Sequence, residues 1–224
     1  MFDAVIVINT VSDRNFPRNG TLKTLDALGI LTAQNLISGK VIIQKDAPCL
    51  QRLEFAIRHN PPKVDRTVSY ILYNQYYALQ DIRYRNLSNA LILEDDAFLV
   101  KNMQKSLDVL DNIPDDWDFL NFSIGSYAKY VNTPKSHKQN TEHVRKYLLN
   151  GIEHGKRFLP LETGIEYSGN TCYAVTRNFA LKAVSYIENE LFAKKKMIHV
   201  DKLFNSADIF PNMKLYMSST PIMV

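Results

Sequence analysis

Residues 90–97 read Ala-Leu-Ile-Leu-Glu-Asp-Asp-Ala, and the placement of every other segment follows from them. Ala90 to Leu93 is a short, uninterrupted apolar run of the kind buried on both faces inside a parallel sheet, and it stops abruptly at Glu94, Asp95 and Asp96. Three carboxylates are thus expected at the carboxyl end of a strand, the edge where open α/β sheets bind their ligands. Adjacent carboxylates repel one another, and a divalent cation among them relieves that repulsion. Mg²⁺ or Mn²⁺ suits such oxygen ligands and completes its shell with water and phosphate oxygens, which fits a diphosphate-carrying substrate. The same residues also read as a solvated acidic turn, or as a receiver-like or phosphohydrolase-like site. Against the last two, no DxDx[TV] nucleophile motif accompanies them, and the chain is much longer than a receiver domain.

Upstream, Ala4-Val5-Ile6-Val7-Ile8-Asn9 has the continuous, β-branched character of a central strand. A polar loop from Thr10 to Arg18 leads to Leu22, Leu25 and Leu28 at helical spacing, with Gly29 as a C-cap, and Val41-Ile42-Ile43 supplies the next strand. Two helical segments follow, one through Leu50, Leu53 and Ile57 and one through Val68, Ile71, Leu72, Gln75, Tyr76 and Leu79. Asn60-Pro61-Pro62 divides them. Tyr70, Tyr73, Tyr76 and Tyr77 crowd the second, where tyrosines at helical spacing pack more often than they stack on a base or sugar.

Downstream, Asn102 is placed to cap a helix through Met103, Leu107 and Leu110, and Phe119-Leu120-Asn121-Phe122 reads as a strand. Ser126 to His154 is polar, basic and weakly periodic until Val144 to Leu149, the pattern of a mobile substrate-side loop. Cys172-Tyr173-Ala174-Val175 reads as a strand and Asn178 to Glu190 as a helix, while Lys194-Lys195-Lys196 reads as solvated surface.

With 224 residues and 46% hydrophobic side chains, the chain can bury one sizeable α/β core. A net charge of +4 from 27 basic and 23 acidic residues is far from the dense cationic stripe of a nucleic-acid binder. Cys49 and Cys172 form no ligand-spaced cluster, so zinc and a disulfide framework are not indicated. Met1-Phe2-Asp3 enters the first strand without a basic leader, and no apolar run nears the roughly 20 residues that span a bilayer. These features lead to the expectation of a soluble, cytoplasmic chain.

Several segments, in order, resemble glycosyltransferase family 25, which contains lipooligosaccharide and collagen galactosyltransferases. Val7-Ile8-Asn9 with Asp13-Arg14, then Leu28-Gly29, is similar to the family's opening; Ala90 to Ala97 is similar to its acidic motif almost letter for letter. Asp118 to Phe122 with Gly125, Ser168 to Arg177, His199-Val200-Asp201 and Pro221 to Val224 resemble later family segments. One departure is visible: where the family carries Gly-Cys-x-x-Ser-His about 20 residues before the acidic motif, Ser69 to Asn74 here reads Ser-Tyr-Ile-Leu-Tyr-Asn.

The resemblance implies a single GT-A-like α/β domain over residues 1–224, with a mostly parallel central sheet flanked by helices. Residues 1–125 would be its nucleotide-sugar half and 126–224 its acceptor half. It implies an inverting hexosyltransferase using a nucleotide-diphosphate sugar, UDP above all, with Mn²⁺ or Mg²⁺ and a glycan or glycoprotein acceptor, in a bacterium or a virus-infected host. Glu94-x-Asp96 would stand for the Asp-x-Asp motif, with Asp96 the direct metal ligand and Glu94 or Asp95 facing the ribose or a metal-bound water. Asn9 and Arg14 would grip the nucleotide, since Arg suits a diphosphate. Asp201 is the first candidate for general base, Glu166 the second, and His199 a candidate to complete the metal shell. A non-catalytic binding protein and a nucleotidyltransferase stay open as alternatives, although the Gly-rich phosphate loop of the latter is missing from Asn9 to Gly20.

Overall fold

The structure, a computed structural model, describes residues 2–8, 41–44, 66–94, 109–123, 138–165, 167, 169–194, 196 and 198–219. The strands are β1 (Val5–Ile8), β2 (Val41–Gln44), β3 (Asn89–Glu94), β4 (Phe119–Asn121), β5 (Phe158–Pro160), β6 (Cys172–Thr176) and β7 (Leu215–Ser218). The helices are α1 (Arg66–Tyr84), α2 (Lys138–Glu153), α3 (Arg177–Tyr186), which runs on as a π-helical segment (Ile187–Phe192), and α4 (Val200–Phe204).

All seven strands form one sheet in the order β2-β1-β3-β6-β4-β7-β5. β1 pairs in parallel with β2 and β3, and β4 with β7; β6 runs antiparallel between β3 and β4, and β5 is antiparallel on the β7 edge. Five strands therefore point one way, and the expected α/β class with a mostly parallel sheet holds. The inserted β6 reverses direction at the middle of the sheet, so its first residue lies at the carboxyl ends of β3 and β4.

Alternation along each strand splits the core. Ile6, Ile8, Ala90, Ile92, Phe119, Tyr173 and Val175 face the helical layer, where Leu72 and Leu79 of α1, Val144 and Leu148 of α2, and Phe179 and Val184 of α3 cover them. Val5, Val7, Leu91, Leu93, Leu120 and Ala174 face the other way, onto Phe2, Val109, Phe122 and Phe158. Each fully buried Leu, Ile or Phe contributes on the order of 1.5–3 kcal/mol. Thr176 ends β6 and caps α3, its hydroxyl accepting from the Phe179 amide at 3.3 Å.

Three sequence expectations change. The stretch expected to be a mobile loop up to His154 contains α2, whose Val144 and Leu148 are fully buried and whose Gly151 lies where a Cβ would come within 2.7 Å of Leu159. The helical period was hidden because two polar turns open α2. The helix expected from Asn178 to Glu190 is instead α3 followed by the π-helical segment. β5 and β7 were not anticipated: one has three residues ending in Pro, the other four. The readings at Leu22 to Gly29, Cys49 to Pro62, Asn102 to Leu107, Ser126 to Lys135 and Pro221 to Val224 lie outside the described residues.

Candidate active site at the carboxyl edge of the sheet

Glu94 closes β3, half-buried on the helical side of the sheet, and its amide donates to Thr171 O at 2.8 Å. Its carboxylate is held from behind: Gln75 Nε2, on the fully buried face of α1, donates to Glu94 Oε1 at 3.0 Å. Gln75 Oε1 in turn accepts from the buried Tyr173 hydroxyl. Burial pushes the Tyr173 phenol well above its usual range, and the Glu94 charge adds to this. The phenol therefore stays a donor at neutral pH, so the relay from Tyr173 through Gln75 runs one way and ends on Glu94 Oε1 as acceptor.

Beside it, the entry to β6 carries the second element. Gly169 has φ +98°, a backbone conformation that favours glycine, and its amide donates to Asp201 Oδ2 at 2.9 Å. Asp201 lies in the first turn of α4 and is partly buried. Gly169 and Thr171 are two residues apart, so the anchors of Asp201 and Glu94 on this strand lie within about 7 Å. The Glu94 backbone and the Asp201 carboxylate are thus both tied to the chain entering β6, at the carboxyl edge of the sheet.

Three buried asparagines lie beside these anchors. Asn121, the last residue of β4, donates through Nδ2 to Gly169 O at 2.6 Å, Asn205 Oδ1 at 2.8 Å and Asn170 Oδ1 at 3.0 Å. Its Oδ1 accepts from the Ser123 amide at 2.9 Å. The Thr171 hydroxyl is buried with no partner among the described residues. Cys172, next along, is a free buried thiol that burial pushes upward and leaves unreactive.

Of the residues expected from the sequence, Glu94 through its backbone amide and Asp201 through its carboxylate both bond to residues 169–171 at this edge. His199 is the exposed N-cap of α4, two residues from Asp201. Asn9, Arg14, Asp95, Asp96 and Glu166 lie outside the described residues. Among the described residues no group of three or more His, Cys, Asp or Glu gathers as a metal site. Of the expected metal ligands, Glu94 and His199 are described, and the Glu94 carboxylate is the hard oxygen donor that Mg²⁺ or Mn²⁺ prefers, which fits a contribution to such a site. Gln75, Tyr173, Asn121, Asn170 and Asn205 were missed as site residues, because a buried amide carries no spacing signal; only the polar residue ending each apolar run hinted at the edge.

No protein-family model and no curated protein matches this sequence. Among solved structures, the chain is similar to mouse xyloside xylosyltransferase 1 in its apo form, at 10% identity and a TM-score of 0.45, over 96% of this chain and 84% of that one. It is also similar to A197 from STIV, at 8% identity and a TM-score of 0.32, over 98% and 82%. Among the described residues no helix is long and apolar enough to cross a membrane.

Proposed function

We propose that this chain is a metal-dependent, inverting glycosyltransferase that moves a hexose from a nucleotide-diphosphate sugar, UDP-linked above all, to a hydroxyl of a glycan or glycoprotein. The observation that supports the reading is that the Glu94 backbone and the Asp201 carboxylate both bond to the entry of β6 at the carboxyl edge of the sheet, where the chain also resembles family 25 in its Glu94 to Asp96 and Val200-Asp201 segments. Mg²⁺ or Mn²⁺, with Asp96 and Glu94 among its ligands, would neutralise charge on the departing diphosphate.

The chain's own part is positioning and proton transfer. Asp201 takes the proton of the acceptor hydroxyl as that oxygen bonds to the anomeric carbon; the bond from that carbon to the diphosphate oxygen breaks on the opposite face, and the nucleoside diphosphate leaves with its electron pair. The Gly169 amide on Asp201 Oδ2 fixes the carboxylate's orientation for this step. Calorimetry of UDP with Mn²⁺ and with EDTA, on the wild type and on Asp96→Ala, tests the reading. Binding is expected only with metal and only in the wild type; equal affinity in EDTA overturns metal dependence, and absence of UDP, GDP and dTDP binding alike overturns the function.

A further inference from the structure

We propose that Asn121, Asn170 and Asn205 are positioning residues that set the Asp201 carboxylate through Gly169; this rests on Asp201 being the base in the reading above. The three are 3%, 3% and 1% exposed, so each amide group is out of water and must be paired inside the protein. The pairing closes. Asn121 Nδ2 has two protons, and its two shortest contacts, Gly169 O at 2.6 Å and Asn205 Oδ1 at 2.8 Å, take them. Asn205 Nδ2 donates to Asn170 Oδ1 at 3.1 Å, and Asn170 Nδ2 to Val200 O at 3.3 Å.

That chain of amides ties together the parts from which the site is assembled: the end of β4, the entry to β6 and both ends of α4. Gly169 is gripped twice, its carbonyl by Asn121 and its amide by Asp201. Val200, whose carbonyl Asn170 holds, immediately precedes Asp201. The backbone that carries Asp201 and the backbone that orients its carboxylate are therefore fixed by the same trio. Apolar side chains fill the same face of the sheet one step down, at Phe119, so burial alone does not call for amides here.

The test compares the wild type with Asn121→Ser, and with Asn170→Ser at the outer end of the chain in case the first does not fold. Transfer kcat, donor Kd and Tm are measured well below the transition. A displaced base lowers kcat by about 10- to 100-fold in the folded protein with donor affinity unchanged. Lower Tm with wild-type kcat in whichever variant folds overturns the positioning role and leaves the trio structural. A wild type that neither binds nucleotide diphosphates nor transfers sugar overturns the functional reading itself, and the positioning role with it, whereas an active wild type beside an equally active variant sinks the positioning role alone.

Discussion

The two edges of the sheet use carboxylates differently. At the amino edge, Asp118 Oδ2 accepts from the Lys214 amide at 3.0 Å, while Oδ1 accepts from the Thr176 hydroxyl at 3.3 Å and Asn178 Nδ2 at 3.1 Å. Asp3 does the same with the Ser88 amide at 2.6 Å. These carboxylates staple chain entries and exits. At the carboxyl edge, Glu94 is held through a buried side-chain relay and Asp201 through a single glycine amide. Asp118 joins elements with both carboxylate oxygens engaged, whereas Glu94 and Asp201, in the function proposed above, are carboxylates oriented by the fold behind them.

The largest effect that probes this contrast is at Asp201. Asp201→Asn keeps the size of the side chain and, through its amide oxygen, the bond from Gly169, but it cannot take a proton. Transfer is expected to fall by about 10²- to 10⁴-fold, with nucleotide and metal binding retained. Single-turnover kinetics beside calorimetry reads both quantities. Near wild-type transfer in Asp201→Asn with a dead Glu166→Gln moves the base to Glu166.

A pair of substitutions, one at each edge, sharpens the comparison. Glu94→Gln removes the charge while the replacement oxygen still accepts from Gln75; nucleotide-diphosphate binding should weaken by about 10-fold or more, one charge-assisted interaction of roughly 1.5–3 kcal/mol, with unfolding unaltered. Asp118→Ala should do the reverse, lowering stability by about 1–3 kcal/mol in urea unfolding and leaving kcat alone. Equal losses of function at both sites would erase the distinction between the edges.

The fold was legible wherever an apolar run was long enough to announce itself: β1, β3, β6 and α1 stand where Val5 to Ile8, Ala90 to Leu93, Cys172 to Val175 and Val68 to Leu79 place them. Tyr73 and Tyr76 of α1 pack as their helical spacing implies, Tyr73 stacking on Phe192 at 4.7 Å and Tyr76 meeting it edge-on at 5.3 Å. Glu94 and Asp201 were legible as a strand-end carboxylate and by resemblance. The supporting amides were not, because Gln75 lies 19 residues from Glu94 and Asn205 lies 84 from Asn121, and such pairings arise only from the sheet order. Gln75 lies on α1, so the helix behind Glu94 contacts its carboxylate through an amide.

The smallest expected effect concerns Tyr76, which joins α1 to the π-helical segment. Its hydroxyl donates to Glu188 Oε1 at 2.6 Å and accepts from Gln80 Nε2 at 2.6 Å, while Gln80 also donates to Glu188 at 3.1 Å. Burial first, and the bond to Glu188 next, raise the phenol from 10.0 to about 12. Because the folded state holds this proton more tightly than the unfolded chain, its contribution is fully present below pH 10 and is lost as pH climbs from there to about 12. Stability should therefore be insensitive to this group through neutral pH and decline along that alkaline limb. Tyr147, also raised to about 12, and Tyr173 and Tyr216, raised as well, add to the same limb, so Tyr76→Phe should make it shallower without abolishing it. Urea midpoints at pH 8, 10 and 11 for the two proteins measure the difference. Parallel curves, offset only by the lost hydrogen bonds, would mean that the Tyr76 proton is no more tightly held in the fold than out of it, and that Glu188 meets α1 as loosely as a surface contact.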